Sequence, residues 1–510
     1  MLRPILPAAA ASMLRHALRP IPSASATKLL RPTRTLATSS APSTRPRVLI
    51  LGTGWGGTKL ARGLDKTKFD VRLISPANHF LFTPMLPSTA VGTLEFRAIQ
   101  EPVRTIPGLS EYYQAKARHV DLDSKLVSCE GIFTGRSFDV AFDYLVVAVG
   151  NKTNTFDTPG VVEREGEEIF FLKHLHHARQ IRNRVLECFE RAANPTLSAA
   201  ERARLLSFVV VGGGPTSCEF TTELSDFLKS DVAKWYPEEA GLATVTLVEA
   251  GDRILGPFDA ALSEYYREHL LKAGIDVRTK TAVKEVWHGD DGEGHHTTRA
   301  LLSDGSTLPF GAMVWSAGLA PVKFVENAGD ALPTHERSKR ILTDDYLRVP
   351  GTFGRVYAIG DCADVVDMPL PPTAAVAEQQ GAYLMRCFNQ HLHACDVRAL
   401  APDEPVPLPG PVRPYAQFFS ATAFLDYAFP AQPTFRYVER GAMASMGRSG
   451  GVMQTSNSDI TPGGPNITGF AAWAAWKAVY LTKQLSWSNM MLIPMYWFKA
   501  AAFGRDISRF

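Results

Sequence analysis

The chain has 510 residues, 45% hydrophobic and 21% charged, a globular composition with room for two or three domains. Its formal charge of +3 misleads, because the first 45 residues hold six Arg, one Lys and no acid; without them 47 basic residues face 51 acidic ones, and nothing calls for nucleic acid. Six cysteines at 129, 188, 218, 362, 387 and 395, with no C-x-x-C or ligand spacing, exclude a disulfide scaffold and a zinc site.

Residues 1–45, with Arg3, Arg15, Arg19, Arg31 and Arg34 among Ala, Leu, Ser and Thr, read as a mitochondrial transit peptide outside the fold. Next comes "RVLILGTGWGGTKLARGL", an apolar run from Val48 to Leu51, then Gly52-x-Gly54-x-x-Gly57, then a helical pattern. A parallel strand buried on both faces must be continuously apolar. The glycines, with Gly56 beside them, permit a tight turn and let a pyrophosphate approach N–H groups at the helix start. The strand "DVRLIS" that follows ends at Ser75, without the acid that usually meets a ribose. "YLVVAVGNKTN" is another apolar strand, ending at Gly150. His174, His176 and His177 sit in a charged helical stretch and read as solvated rather than as metal ligands.

The nucleotide pattern then returns 160 residues on, in "SFVVVGGGPTSCEFTTEL": Gly212, Gly213 and Gly214, with Ser217 at the third glycine position. Here the later strand "TVTLVEA" does end on an acid, Glu249, suited to ribose hydroxyls and repelling a 2′-phosphate, which favours NADH; Arg253 is a nearby counterweight. One G-x-G-x-x-G is weak, but two copies in strand–turn–helix context are a strong signal for two dinucleotide sites. "GDDGEGHH", residues 289–296, reads as a hairpin tip without calcium-loop spacing. "AMVWSAGLAP", ending its strand near Gly318, mirrors the segment at Gly150, each about 100 residues after its own glycine motif. Both read as the chain's passages between two nucleotide domains. "RVYAIGDCADV" then supplies a short strand and Asp361, and "PPTAAVAEQQGAYL" a helix starting near Thr373 and Ala374.

The tail, residues 470–510, mixes Trp473, Trp476, Trp487 and Trp497 with Lys477, Lys483, Lys499 and Arg505 against a single acid, Asp506. Between Gln484 and Phe498 only 15 uncharged residues occur, broken by Pro494, too few for a span of ~20. Aromatic residues flanked by cations read instead as an anchor lying in the headgroup region, with an apolar dimer interface as the competing reading.

Together "GTGWGG", "LISPANHFLFTPMLPSTAVGTLEFRAI", "VVVGGGPTSCE", "VYAIGDCA" and "PPTAAVAEQQGAYL" resemble the type II, non-proton-pumping, rotenone-insensitive mitochondrial NADH:ubiquinone oxidoreductases, from about residue 46 onward. The resemblance implies two Rossmann-like α/β domains, the NADH domain inserted in the FAD domain, plus a C-terminal membrane-anchoring region. The corresponding spans are FAD-binding 46–204 and 336–405, NADH-binding 205–335 and anchoring 406–510. It implies non-covalent FAD held by Gly52, Gly54, Trp55, Gly57 and Asp361, the last on the ribityl chain, and NADH held by Gly212, Gly214 and Glu249. Glu219 would approach the nicotinamide. Thr373 and Ala374 would open a helix whose positive end suits the charge of reduced flavin. Glu378 and Gln379 would lie near the quinone, but Ala375 replaces a glutamine that the family typically carries. It further implies a peripheral inner-membrane homodimer using ubiquinone. The rival reading is an apoptosis-inducing-factor-like flavoprotein acting as a redox-sensitive binding module; a disulfide reductase is excluded because no Cys pair follows the first motif.

Overall fold

The computed structural model describes residues 35–36, 44–290, 296–413, 430–448 and 450–509. The bulk of the segment read as a transit peptide, and the tip of the 289–296 hairpin, lie outside these. Thr35 and Leu36, inside that first segment, pair parallel with Phe138 and Asp139. The boundary placed at residue 45 therefore does not exclude every earlier residue from the fold.

The first sheet is built around Arg47–Leu51, whose Val48, Leu49 and Ile50 are fully buried. Asp70–Ser75 and Tyr144–Val147 flank it in parallel, extended outward by Glu111–Asp121 on one side and Val356–Ala358 on the other. Leu126–Gly131 and Ser137–Ala141 continue the sheet as an antiparallel meander. Helix α1, Trp55–Gly63, follows the central strand directly.

The second sheet repeats the plan: Ile169–Phe171, Ala312–Trp315, Ser207–Val211, Thr244–Val248 and Asp276–Arg278, all parallel. Helix α2, Leu175–Ala192, follows its edge strand, and helix α3, Pro215–Phe227, follows its central strand. Because Ile169–Phe171 belongs to this sheet, the second domain takes in residues ahead of the boundary expected at 205. The antiparallel strands Val283–Asp290 and His296–Leu302 flank the tip read from the sequence. The two passages between domains lie side by side, with Asn151, Lys152 and Thr153 paired antiparallel to Pro321, Ala320 and Leu319.

After Val356–Ala358 the chain enters helix α4, Ala374–Gln390, N-capped by the Thr373 hydroxyl, which accepts from Val376 N at 3.4 Å. α1 and α4 meet backbone to backbone at Gly56 and Gly381, with Ile359 and Met385 packed beside the crossing. A Cβ on Gly381 would lie 2.5 Å from the Gly56 carbonyl oxygen, and one on Gly56 would lie 3.0 Å from the Ala377 carbonyl oxygen. Val406, Val412 and Phe435 pack into the same core as Tyr144, Tyr383 and Phe388. The C-terminal unit therefore starts later than residue 406, at the three-stranded antiparallel sheet of Ala442–Ser445, Gly451–Gln454 and Ile467–Thr468, whose Ala444 and Val452 share a core with Phe82 and Phe220.

Helices α5, Gly469–Thr482, and α6, Trp487–Phe503, complete the chain. Pro494 was expected to break this region, but it sits inside α6, giving up one backbone bond without ending the helix. At 17 residues α6 measures about 25 Å, short of a ~30 Å hydrocarbon core. No helix among the described residues is long and apolar enough to cross a membrane.

Candidate active site: two nucleotide cradles and the seam between them

The two glycine motifs adopt one geometry. Gly52 has φ +108° and Gly212 φ +109°, left-handed values that a side chain resists. Gly54 and Gly214 cap α1 and α3 in extended conformation, each with nothing within 4 Å of where a Cβ would sit. Space is therefore open at the amino end of each helix, the end that favours an anion. A Cβ on Gly57 would lie 2.1 Å from the Gly52 carbonyl oxygen, so the third glycine serves helix–turn packing. In the second motif Ser217 tolerates that place, its Oγ hydrogen-bonding Ser316 Oγ at 2.8 Å.

Around the first cradle, Trp55 donates from Nε1 to Thr83 Oγ1 at 3.0 Å, and its ring leans on Phe80 and Phe82. Phe82 in turn meets Tyr480 of α5, so the "FLFTPMLP" block joins the first domain to the C-terminal helices. Ser75 is buried and its hydroxyl bonds Thr53 Oγ1 at 2.9 Å, pointing inward at the strand end. Gly150 and Gly360, at φ +66° and +74°, turn the chain just beyond the carboxyl ends of Tyr144–Val147 and Val356–Ala358. Open parallel sheets present their ligands at such ends.

Asp361 stands there, accepting from Asn151 Nδ2 at 3.1 Å, and burial pushes its carboxyl up. The Asn151 carbonyl accepts from the Lys173 ammonium. Gln380 of α4 accepts from Gly360 N at 2.6 Å. Lys173, Asn151, Thr53 and Gln380 were missed from the sequence, since nothing in their spacing marks them. An open glycine cradle, a half-buried carboxylate for hydroxyls and a helix amino end make the residues present fit FAD.

In the second cradle Glu249 accepts from Gly213 N and, at 2.5 Å, from Gly251 N. The carboxylate thus lies over the glycine turn itself. Gly318, φ +72°, sits where a Cβ would be 2.5 Å from the Phe156 ring, at the passage between domains.

Glu219 lies on α3, but its carboxylate faces the C-terminal unit: Oε1 accepts from Ser445 N at 2.8 Å and Trp476 Nε1 at 3.1 Å. Burial is the dominant influence and raises its pKa to about 8, although both donors favour the anion. Glu378 of α4 is buried and pairs with Lys483 at 3.5 Å, just past the end of α5. Gln379 is differently occupied: Nε2 donates to Val438 O at 2.9 Å and Oε1 accepts from Val438 N at 3.0 Å. Its amide, expected near the quinone, clamps the 430s segment to α4.

Three further expectations change. His177 is buried, not solvated; its Nδ1 accepts from His174 N at 3.2 Å as part of the cap of α2. Arg505, counted among the headgroup cations, points inward and is 3% exposed, bonded to Glu223 and Asp231. Lys477 is held over the rings of Trp473 and Trp497 at 3.9 and 4.4 Å. All six cysteines are free, and no cluster of metal-binding side chains occurs among the described residues.

Comparison with known proteins agrees with this layout. The pyridine nucleotide-disulphide oxidoreductase model matches residues 46–381, and an NDH2 C-terminal domain model matches residues 440–506. A probable NADH dehydrogenase of Dictyostelium discoideum is 37% identical over 468 residues, 91% of either chain. An internal alternative NAD(P)H-ubiquinone oxidoreductase A1, mitochondrial, of Arabidopsis thaliana is 36% identical, covering 91% of this chain and 86% of its own. The fold is also that of Plasmodium falciparum NDH2 solved with NADH: TM-score 0.75, 24% identity, 91% of this chain and 100% of that one. The chain belongs to the pyridine nucleotide-disulphide oxidoreductases and, within them, to the type II NADH–ubiquinone oxidoreductase family.

Proposed function

We infer that the chain is an FAD-dependent NADH:ubiquinone oxidoreductase, passing two electrons to a membrane quinone without pumping protons. The observation that carries this is the pair of matching open cradles, Gly52–Gly54 and Gly212–Gly214, on two sheets joined by the paired passages at Asn151–Thr153 and Leu319–Pro321. FAD, when bound, supplies two-electron acceptance from NADH and two-electron release to quinone.

The protein's share is positioning. Gly52, Gly54, Gly56 and Gly57 would hold the FAD pyrophosphate beside Trp55, with Ser75 and Gly150 lining the cleft and Asp361 on the ribityl hydroxyls. The amino end of α4 at Thr373 and Ala374 would offset negative charge on the flavin. Gly212, Gly213 and Gly214 would take the NADH pyrophosphate, with Gly318 at the edge of that site and Glu249 moving from Gly213 N to ribose hydroxyls. Glu219, neutral below about pH 8, would sit at the seam between nicotinamide and the C-terminal helices as a proton-holding group. Glu378 with Lys483 would border the quinone path, leaving Ala375 to apolar contact and Gln379 to its clamp.

The relatives named mitochondrial support a mitochondrial place, and α6 supports attachment to the inner membrane from one side. Trp487, Met491, Met495 and Phe498 form one stripe at helical spacing, each more than 60% exposed, and Phe470 and Phe503 are exposed nearby. A second copy of the chain is the other partner proposed for this apolar surface; sedimentation of lipid-free protein as a monomer at all concentrations would remove it.

Anaerobic stopped-flow tests the function. NADH should bleach the flavin, and a short-chain ubiquinone should restore it rapidly. Bleaching without recovery would remove quinone as acceptor and favour the redox-sensitive binding module.

A further inference from the structure

The bond network at Asp361 crosses from one nucleotide domain to the other. Asn151 Nδ2 donates to Asp361 Oδ2, and Asn151 Oδ1 accepts from Lys173 Nζ. Both follow strands of the first sheet: Asp361 lies in a short helical turn, Gly360–Cys362, after Val356–Ala358, and Asn151 opens the passage strand Asn151–Thr153 four residues past Val147. Lys173 is delivered by the second sheet, two residues after its edge strand Ile169–Phe171 and two before α2 begins. Burial works against the charged form of both Lys173 and Asp361, while each favours the charge of the other. Arg340 also acts on Asp361, but its guanidinium bonds Asp364 and the carbonyls of Ala363 and Leu370.

Asn151 already gives the Asp361 carboxylate a neutral donor, while the Asn151 amide oxygen, which an acceptor-only carboxylate cannot serve, takes its donor from Lys173. Bringing an ammonium into this cleft costs desolvation, which Asp361 only partly offsets. A fixed cation there gains a role when the cleft's ligand becomes more negative on reduction, because it then stabilises the reduced form more than the oxidised one. We propose that Lys173 is a positioning residue which, through Asn151 and Asp361, orients FAD and biases it toward its reduced state. This rests on the FAD reading of the first cradle. It makes the cofactor's redox balance depend on a residue supplied by the NADH domain, so that movement at the seam alters both together.

The test is the midpoint potential of bound FAD in the full-length protein, from slow enzymatic reduction against a reference dye with neither NADH nor quinone present. Lys173→Met should lose roughly tenfold of the preference for reduced FAD, ~30 mV downward for a two-electron couple. Lys173→Arg should restore most of it. Asn151→Leu, which cuts the link while keeping the cation, should fall between. An unchanged potential in Lys173→Met overturns the proposal, even if FAD content drops, since packing alone would change content and not potential. If Lys173→Met retains no FAD, Asn151→Leu decides, and a wild-type potential there overturns it equally. Wild-type protein that neither carries nor takes up FAD would instead refute the cofactor reading.

Discussion

Arg505→Met should loosen the C-terminal helices from the body of the enzyme at a cost of about 3 kcal/mol. The Arg505 guanidinium donates to Glu223 Oε2 at 2.9 Å, Asp231 Oδ2 at 3.1 Å and Thr93 Oγ1 at 2.8 Å. The three charged side chains are 3%, 9% and 2% exposed. Removing one member of a buried pair costs ~3–5 kcal/mol, because the remaining charge is stranded away from water. The lower end applies here. Ser88 and Thr93 hydroxyls still donate to Glu223 at 2.8 Å each, and Arg448 and Lys234 stay within 3.6 and 3.9 Å of Asp231. Four of the eight tryptophans, Trp473, Trp476, Trp487 and Trp497, lie on α5 and α6, so replacing Trp55, Trp235, Trp287 and Trp315 by Phe makes tryptophan fluorescence in urea report this region. With a slope of ~2 kcal/mol per molar urea, the midpoint should fall by ~1.5 M. Glu223→Gln added to Arg505→Met should recover part of the loss by removing the stranded charge. A loss below ~1 kcal/mol, the range of exposed pairs, or a double variant no better than the single one, would refute the reasoning.

Three other outcomes are expected. The pKa of Glu219 rises from 4.5 to about 8 on folding, so between those values the folded chain keeps a proton the unfolded chain has released, and stability falls as pH climbs through that window. Glu219→Gln should flatten this fall, and thermal midpoints that decline in parallel for both proteins between about pH 5 and about pH 8 would contradict it. Gln379→Leu should cost roughly 2–3 kcal/mol, through two lost bonds and a stranded Val438 backbone, with little change in quinone KM; a raised KM at an unchanged thermal midpoint would mean Gln379 touches quinone after all. Gly52→Ala sets a Cβ 2.2 Å from the Ala148 carbonyl oxygen at φ +108°, so the purified variant should lack flavin absorbance, and a yellow, folded variant would refute the close fit.

The two Rossmann units were legible because their signals are local. Continuous apolar strands and glycines that must turn sharply are written in runs of a dozen residues, and the structure places Gly52 and Gly212 in the same conformation. The passages near Gly150 and Gly318 were legible as strand ends, though their pairing was not. What escaped notice depends on distant segments meeting. Lys173 and Asn151 lie 22 residues apart, and Gln380 meets Gly360 only because α4 folds back. His177 and Arg505 were misread for the same reason, since a charged stretch says nothing about which residue turns inward. Gln379 shows that a polar residue in the expected place can be spent on backbone. Pro494 shows that a helix held by tertiary contacts tolerates what sequence rules treat as a stop.

The glycine crossing of α1 and α4 sets a length. Gly56 stands at the second position of α1, and Gly381 at the eighth of α4, so the amino ends of the two helices are separated by about 10 Å along the α4 axis. In the function proposed above, one end would address the FAD pyrophosphate and the other the flavin. Backbone touches backbone there, so the interval is a property of two rigid rods and not of any rotamer. The fold therefore gauges the span of its cofactor before the cofactor arrives. A methyl group added at either glycine would be felt as a misfit at the far end of α4, about seven residues from the altered atom.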